Sequence, residues 1–477
     1  MKSEHELFVK DYLKKLNNGS AAIFAGAGLS VGAGFINWKE LLNDIATELK
    51  LNIELEYDLI SLAQYHVNEK RNSSFLNKRI VEEFAERAEP TENHRILARL
   101  PISTYWTTNY DNLIEQTLRD YQKIVDTKHT PSQLTTHRNR RDAVVYKMHG
   151  DVDHATNAVL TKDHYERYYK THAPFITALS ADLVTKTFLF IGFSFSDPNI
   201  SYVLSRLKVG LDDETGHHYA FIKKVARGDK GSESKEDFLY NQRKQYFMLE
   251  DLKRYGINAV EVDSYDEITE ILIAIERRYK QQTVFIAGSA EEYGEWGKDK
   301  ALTFIHSLSK SLVGKNYKVV NGFGWGVGSA VINGALEMIY EKPLIHTEEQ
   351  LLIRPFPQVK TGKYELGKLW QQYRERMISF AGVALFVFGN KMENGSIIDA
   401  GGVRKEFEIA QKQGVVLLPI GATGYMSKAL WEEVMQDFDT FYPNLPEVRK
   451  LVEQLGNSEP EQIIKIILQI LSIINKK

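Results

Sequence analysis

The sequence predicts an α/β protein made of two successive Rossmann-like domains, and three observations carry that prediction. An apolar run, Ala21 to Ala25, delivers the chain into Gly26-Ala27-Gly28-Leu29-Ser30, as where a buried strand turns into a loop that offers main-chain N–H groups to a phosphate-bearing ligand. Three later apolar runs of the first half also stop on polar or glycine-rich tips. The pattern then starts afresh at Thr283-Val284-Phe285-Ile286-Ala287-Gly288-Ser289-Ala290, so domains of residues 1–282 and 283–477 are expected, the first with a parallel sheet.

Length and composition agree with that division. For 477 residues, roughly two to three domains are expected. Apolar residues make up 43% and charged residues 26%, the balance of a soluble globular protein with large cores. A net charge of -3 argues against a generally basic surface, so no nucleic-acid partner is expected. The chain has no cysteine, which removes disulfides, thiolate nucleophiles and Cys-based zinc modules together. The opening Met1-Lys2-Ser3-Glu4-His5-Glu6 is mixed in charge, and no run approaches the roughly 18 apolar residues of a membrane span. A cytoplasmic protein with no membrane partner is the expectation. The histidines show no repeating spacing, so no metal site is expected.

Each element follows in order. Leu7, Phe8, Tyr12, Leu13 and Leu16 give the stretch Glu6 to Leu16 a helical period leading into the first strand, and Trp38, Leu41, Leu42 and Ile45 resume it after the glycine loop. Ile53 to Arg87 reads as mainly helical, and Thr91-Glu92-Asn93-His94 as a helix start with its cap. Thr104 to Thr108 is β-rich and stops at Asn109-Tyr110-Asp111-Asn112, with a helix from Leu113 to Leu118. Ala143 to Met148 is a strand ending in His149-Gly150-Asp151. A helix from Pro174 to Leu183 precedes the strand Thr187 to Ile191, which ends in Gly192-Phe193-Ser194-Phe195-Ser196-Asp197-Pro198. Four such tips along one sheet edge would line the crevice where doubly wound folds bind ligands.

Tyr219 to Lys223 is a short strand, Arg227 to Lys235 a charged surface loop, and Ala259 to Val262 with the helix Ile268 to Tyr279 close the first half. In the second half the strand from Thr283 is followed by a helix, Leu302 to Leu312, and a strand, Tyr317 to Val320. Gly322, Gly324, Gly326 and Gly328 then alternate with other residues, which marks a backbone pressed close to a ligand or to another backbone. The helix opening at Ala330 would turn its positive end toward a phosphate there. Strands at Val383 to Phe388 and Val415 to Pro419, and a helix from Ile463 to Ile474, complete the domain.

Asn109, Asp111 and His149 are the candidate chemical residues. Cleaving a nicotinamide–ribose bond leaves an oxocarbenium-like sugar, so such a site needs an amide to hold ribose and water and a near-neutral group to take a proton. Asn109 suits the first task and His149 the second. Asp111 suits ligand contact and capping of the following helix equally. In the second half, Arg374 and Arg376, Lys391 and Glu406, the last beyond Gly401-Gly402, could surround a phosphorylated ligand, or each could belong to a solvated charged face.

Gly26-Ala27-Gly28-Leu29-Ser30, Thr107-Thr108-Asn109-Tyr110-Asp111 and His149-Gly150 resemble, in order and spacing, the NAD-binding and catalytic motifs of sirtuins. The resemblance implies that Asn109 and His149 are catalytic, and that Ala25, Gly26, Ala27, Gly28, Ser30, Asp111, Gly192, Ser194 and Asp197 bind NAD+. The departures are the missing four-Cys zinc module, Phe35-Ile36-Asn37-Trp38 where sirtuins carry Ile-Pro-x-Phe-Arg, and Thr108 where they carry Gln. The second half resembles a SLOG domain, a sensor of nucleotide-derived signals, through Gly288-Ser289-Ala290 and the glycine loop.

A sirtuin-like domain followed by a SLOG-like domain is similar to the effector family of Thoeris antiphage defence. That resemblance implies an NAD+ glycohydrolase activated by a cyclic ADP-ribose isomer, which a TIR-domain partner protein makes, so that NAD+ depletion aborts infection. It also implies a homotetramer that forms filaments on activation. The implied signal-binding residues are Gly288, Ser289, Ala290, Gly324, Gly326, Arg374, Lys391, Gly402 and Glu406. An NAD+-dependent protein deacylase and a non-enzymatic nucleotide-binding regulator are the alternatives.

Overall fold

Seven strands build the first sheet: β1 (Ala21–Ala25), β2 (Thr104–Thr107), β3 (Val125–Lys128), β4 (Ala143–Lys147), β5 (Thr187–Ile191), β6 (His218–Lys223) and β7 (Ile257–Val262). Their order is β3-β4-β2-β1-β5-β6-β7 and every pairing is parallel. Parallel strands need crossovers that cover both faces, which is why all five residues of the central β1 are buried. In this computed structural model residues 1–84, 88–211, 216–357, 359–360 and 362–475 are described, and they divide into two units, Met1–Glu276 and Arg277–Lys477. The division falls within the helix Tyr265–Gln281.

Register places the site. Ala25 pairs with Thr107 on one side and Ile191 on the other, and Thr107 pairs with Lys147. The four tips read from the sequence therefore leave four adjacent strands, β4, β2, β1 and β5, along one carboxyl edge. Below them Phe24, Trp106, Phe175, Phe188 and Phe190 share a buried cluster. Trp106 stacks on Tyr146 at 4.2 Å between ring centres and donates its indole N–H to Asp182 at 2.8 Å, so a large polar-tipped ring is buried with its donor satisfied.

Several elements differ from the sequence expectation for identifiable reasons. The helical run from Trp38 breaks into Trp38–Leu41 and Asn43–Glu48, because Leu42 leaves helical geometry at φ -93°, ψ 1°. The run from Ile53 resolves into a 3-10 turn and the helices Leu59–Lys70 and Ser74–Phe84, while residues 85–87 lie outside the described residues. Thr91 does occupy the N-cap of Glu92–Arg99, yet its hydroxyl pairs with His94 Nδ1 at 2.8 Å instead of a backbone N–H. The edge strand β3 and the helix Lys235–Lys253 were not foreseen: β3 is only four residues long, and that helix buries Leu252 alone, so it has no apolar stripe to read.

The second unit holds β8 (Thr283–Ser289), β9 (Lys318–Asn321), β10 (Leu351–Ile353), β11 (Val383–Phe388), β12 (Asn390–Glu393), β13 (Ser396–Asp399) and β14 (Val416–Pro419). Five of them form a parallel sheet in the order β10-β9-β8-β11-β14, and β12 and β13 form a separate antiparallel hairpin. The inner strand β11, between β8 and β14, is buried throughout. The closing helix Pro460–Ile474 buries Ile463, Ile466, Ile467, Ile470, Leu471 and Ile474, the three-and-four spacing of one helix face. Among the described residues no helix is long and apolar enough to cross a membrane.

Candidate active site

The first glycine turn is tight because two backbones meet there. A Cβ on Gly26 would stand 2.5 Å from the Gly192 carbonyl oxygen, and one on Gly28 would stand 2.9 Å from Gly192 Cα. Gly192 itself has φ +64°, a left-handed conformation that glycine adopts without strain. The Gly26 N–H donates to Ile191 O and the Gly28 N–H to Gly192 O, both at 2.9 Å. These glycines join the end of β1 to the end of β5, and these two amides, expected to meet a phosphate, bond the protein in this structure. Ala25 is buried behind the turn, whereas Ala27 and Gly28 are exposed on it.

Asn109 lies just past β2 with its main-chain N–H donated to Thr107 Oγ1 at 3.0 Å. Its Nδ2 donates to Gly26 O at 3.1 Å and Ser30 Oγ at 3.0 Å. A carbonyl only accepts, so the amide orientation is fixed, and Ser30 must give its own hydrogen to Asp111 Oδ2, 2.9 Å away. The other Asp111 oxygen accepts from Leu113 N at 3.1 Å, at the start of the helix Leu113–Asp120. Asp111 thus anchors both the helix start and Ser30. With both Asn109 donors used, Oδ1 is the atom left to accept from a ribose hydroxyl or a water.

His149 follows β4 by two residues, as Asn109 follows β2, and both are buried. Its Nε2 lies 3.3 Å from Asp197 Oδ2 and 3.5 Å from Asn199 Nδ2, and its Nδ1 lies 3.5 Å from the Tyr165 hydroxyl. Burial pushes the imidazole below its usual 6.5, against the pull of the Asp197 carboxylate, which keeps it neutral and able to accept a proton. Asp197 also accepts from Asn199 N and Ile200 N through Oδ1, opening the helix Pro198–Leu211. Ser194 pairs with Ser196, hydroxyl to hydroxyl at 2.7 Å, on the exposed part of that loop.

Lys147 ties the two strand ends together. Its ammonium, fully buried, donates to the carbonyls of Tyr110 at 3.0 Å and Asp111 at 2.7 Å, and to Asn112 Oδ1 at 2.8 Å. It also pairs with Asp151 at 2.7 Å and stands 3.3 Å from Glu115. Burial disfavours its charge, and the facing carboxylates more than offset that, so its pKa is raised. A lone Lys ending an otherwise apolar strand is a signal the sequence reading passed over. Tyr165 and Asn199 carry no such local signal, since only the fold brings them to His149.

In the second unit Gly288, Ser289, Gly324, Arg374, Gly402 and Glu406 line one cavity of about 180 Å³, with Phe323, Trp325 and Phe356 on its walls. Ala290 and Gly326 stand behind the lining, where a Cβ on Gly326 would come 1.9 Å from Ala290 O. Lys391 lies on β12, exposed and paired with Glu393, and is not among the lining residues. Arg374 Nε sits 3.6 Å from Glu406 Oε1 and makes no hydrogen bond among the described residues. Burial pushes the Glu406 carboxyl up to about 7 even with that guanidinium beside it. Among the described residues no cluster of His, Asp or Glu could hold a metal ion.

Fold and sites together define the class: a SIR2-like domain joined to a SLOG domain. The sequence pattern of the SIR2-like domain matches residues 103–247, and that of the Sir2- and TIR-associating SLOG family matches residues 267–475. The chain is 47% identical to NAD(+) hydrolase ThsA of Bacillus cereus (strain MSX-D12), over 98% of this chain and 98% of that protein. It is 44% identical to NAD(+) hydrolase ThsA of Acinetobacter baumannii (strain 532279), over 99% and 98% respectively. A more distant relative is the defense-associated sirtuin 2 of Bacillus subtilis, 24% identical over 63% of this chain and 30% of that one. The chain belongs to the ThsA family.

Proposed function

We propose that the first unit hydrolyses NAD+ to nicotinamide and ADP-ribose. The observation that carries this reading is the pair of adjacent strand ends, one holding Asn109 through Ser30 and Asp111, the other a buried neutral His149. As the nicotinamide–ribose bond breaks, its electrons leave with neutral nicotinamide and the ribose carbon becomes cationic. Asn109 Oδ1 holds the ribose hydroxyls or the incoming water. His149 takes the proton that water releases when its oxygen bonds to the ribose carbon. The names of the relatives support the same reaction.

In the same reading, a cyclic ADP-ribose isomer made by a TIR-domain partner binds the cavity of the second unit and activates hydrolysis, and the resulting NAD+ depletion aborts infection. The protein works in the cytoplasm as a homotetramer that forms filaments when activated. The description of the SLOG family as TIR-associating supports the partner. NAD+-dependent deacylation is disfavoured because a chain without cysteine cannot build the four-Cys zinc module of sirtuin deacylases. The test is nicotinamide release with and without a cyclic ADP-ribose isomer and an acyl-lysine peptide. Release that depends on the nucleotide, ignores the peptide and is lost in Asn109→Ala and His149→Ala supports hydrolysis. Release driven by the peptide, with O-acyl-ADP-ribose formed, would replace it with deacylation.

A further inference from the structure

Trp325 is 72% exposed and Phe323 is 49% exposed, although both lie on the glycine loop that walls the Arg374–Glu406 cavity. Exposed indole on a mobile loop would mean little, but this loop is pinned on both sides of Trp325. A Cβ on Gly324 would come 2.0 Å from Gly288 O, so the loop backbone lies directly on β8. The Trp325 carbonyl accepts from Ala290 N at 2.8 Å, and Phe323 N donates to Asn321 Oδ1 at 2.7 Å, with Asn321 Nδ2 in turn bonded to Ile286 O at 2.7 Å. Phe323 is held at φ +56°, a conformation a bulky residue adopts only when its surroundings impose it. The exposure of the indole is therefore built into the loop.

Across the cavity the polar end is equally defined. The Arg374 guanidinium lies 4.9 Å from the Phe356 ring centre, and its Nε has no hydrogen-bond partner among the described residues. A guanidinium with an unspent donor recognises phosphate, and an exposed ring on a rigid loop offers a face to a nucleobase. Both features in one cavity fit a ligand with phosphate at one end and a base at the other.

We propose that Trp325 stacks on the base of a purine nucleotide in this cavity and thereby selects base-bearing ligands over bare sugar phosphates. The proposal rests on the reading of this cavity as the nucleotide-signal site. It is tested on the full chain carrying Asn109→Ala, by calorimetry and tryptophan fluorescence. The probes are ADP-ribose, which contains adenine, both riboses and the pyrophosphate, and ribose 5-phosphate, which lacks the base.

Binding in the second unit is the part that Arg374→Ala removes. Trp325→Ala should weaken that part for ADP-ribose by about 10-fold or more while leaving ribose 5-phosphate unchanged, and the melting temperature should stay as it was. Trp325→Phe should keep affinity within about 3-fold and lose the fluorescence quench, since a phenyl ring still stacks. Unchanged ADP-ribose affinity in Trp325→Ala, with loss in Arg374→Ala, overturns the stacking and leaves the cavity reading standing. No Arg374-sensitive binding of ADP-ribose overturns the stacking proposal, and the same titration with a cyclic ADP-ribose isomer then decides the cavity reading, which falls if that too shows no Arg374-sensitive binding.

Discussion

The two sites of this protein are built in opposite ways. At the strand ends of the first unit a chain of hydrogen bonds runs from Asn109 to Ser30, from Ser30 to Asp111 and from Asp111 to Leu113, and Lys147 bonds the loops on both sides. In the second unit Arg374 Nε stands 3.6 Å from Glu406 Oε1 and has no hydrogen-bond partner among the described residues, and the Phe323 and Trp325 rings of the same cavity are exposed. A satisfied network is rigid before any ligand arrives, which suits a site that must hold reacting atoms in place. An incompletely satisfied cavity gains most when a ligand supplies the missing partners, which suits a sensor.

The difference predicts opposite signs for comparable deletions. The largest effect is expected from Lys147→Met, which leaves Asp151 and the neighbouring Glu115 buried without their cation; denaturant unfolding should show a loss of about 3–5 kcal/mol. Burial raises the Asp151 pKa and Lys147 lowers it further than that, so the pair is ionised in the folded protein. Asn109→Ala should lower the rate of nicotinamide release by about 10²–10³-fold with little change in melting temperature, because the residue serves the reaction more than the core. A melting temperature that fell with activity would make Asn109 a structural residue and erase the contrast.

Glu406→Gln should do the reverse of Lys147→Met. The folded carboxyl titrates at about 7, above its usual 4.5, so its favourable contribution is complete below pH 4.5 and is lost as pH rises through 7. Removing the charge should therefore stabilise the second unit at pH 8, by about 1–3 kcal/mol, and change little at pH 5. Thermal unfolding at the two pH values checks it; equal effects at both would show that Glu406 is fully solvated. The mildest effect concerns His149. Its lowered pKa places the acid limb of the hydrolysis profile below pH 6.5, and a limb above 6.5 would show an imidazole stabilised as a cation.

Much of the first site was legible because each tip sits directly after a strand whose apolar run announces it. Asn109 and His149 were readable in that way, and strand register then put them past the ends of adjacent strands. The role of Gly26 and Gly28 was only half legible. Alternating glycine says that something comes close, but the sequence does not say whether it is a phosphate or, as here, the backbone at Gly192. Asp197 was visible at the tip of β5, yet its direct contact with His149 joins stretches far apart in the sequence, as do those of Tyr165 and Asn199 with the same ring. In the second unit the glycine loop and the Arg–Glu pair were readable, whereas Lys391 fell outside the cavity lining because the unforeseen hairpin of β12 and β13 carries it. The helix Lys235–Lys253 escaped for the opposite reason: Tyr240, Tyr246 and Phe247 are exposed, so its apolar residues never form the buried stripe that betrays a helix.

The central claim is a pre-assembled hydrolytic site in one unit governed by a ligand in the other. The most direct test is nicotinamide release from NAD+ by the wild-type chain, Asn109→Ala and Arg374→Ala, each with and without a cyclic ADP-ribose isomer. The account predicts release by the wild type only with the nucleotide, release about 10²–10³-fold slower from Asn109→Ala although it still binds the nucleotide, and none from Arg374→Ala, which does not. Release at the wild-type rate in Asn109→Ala, or release that runs at full rate without the nucleotide and is indifferent to Arg374→Ala, would contradict it.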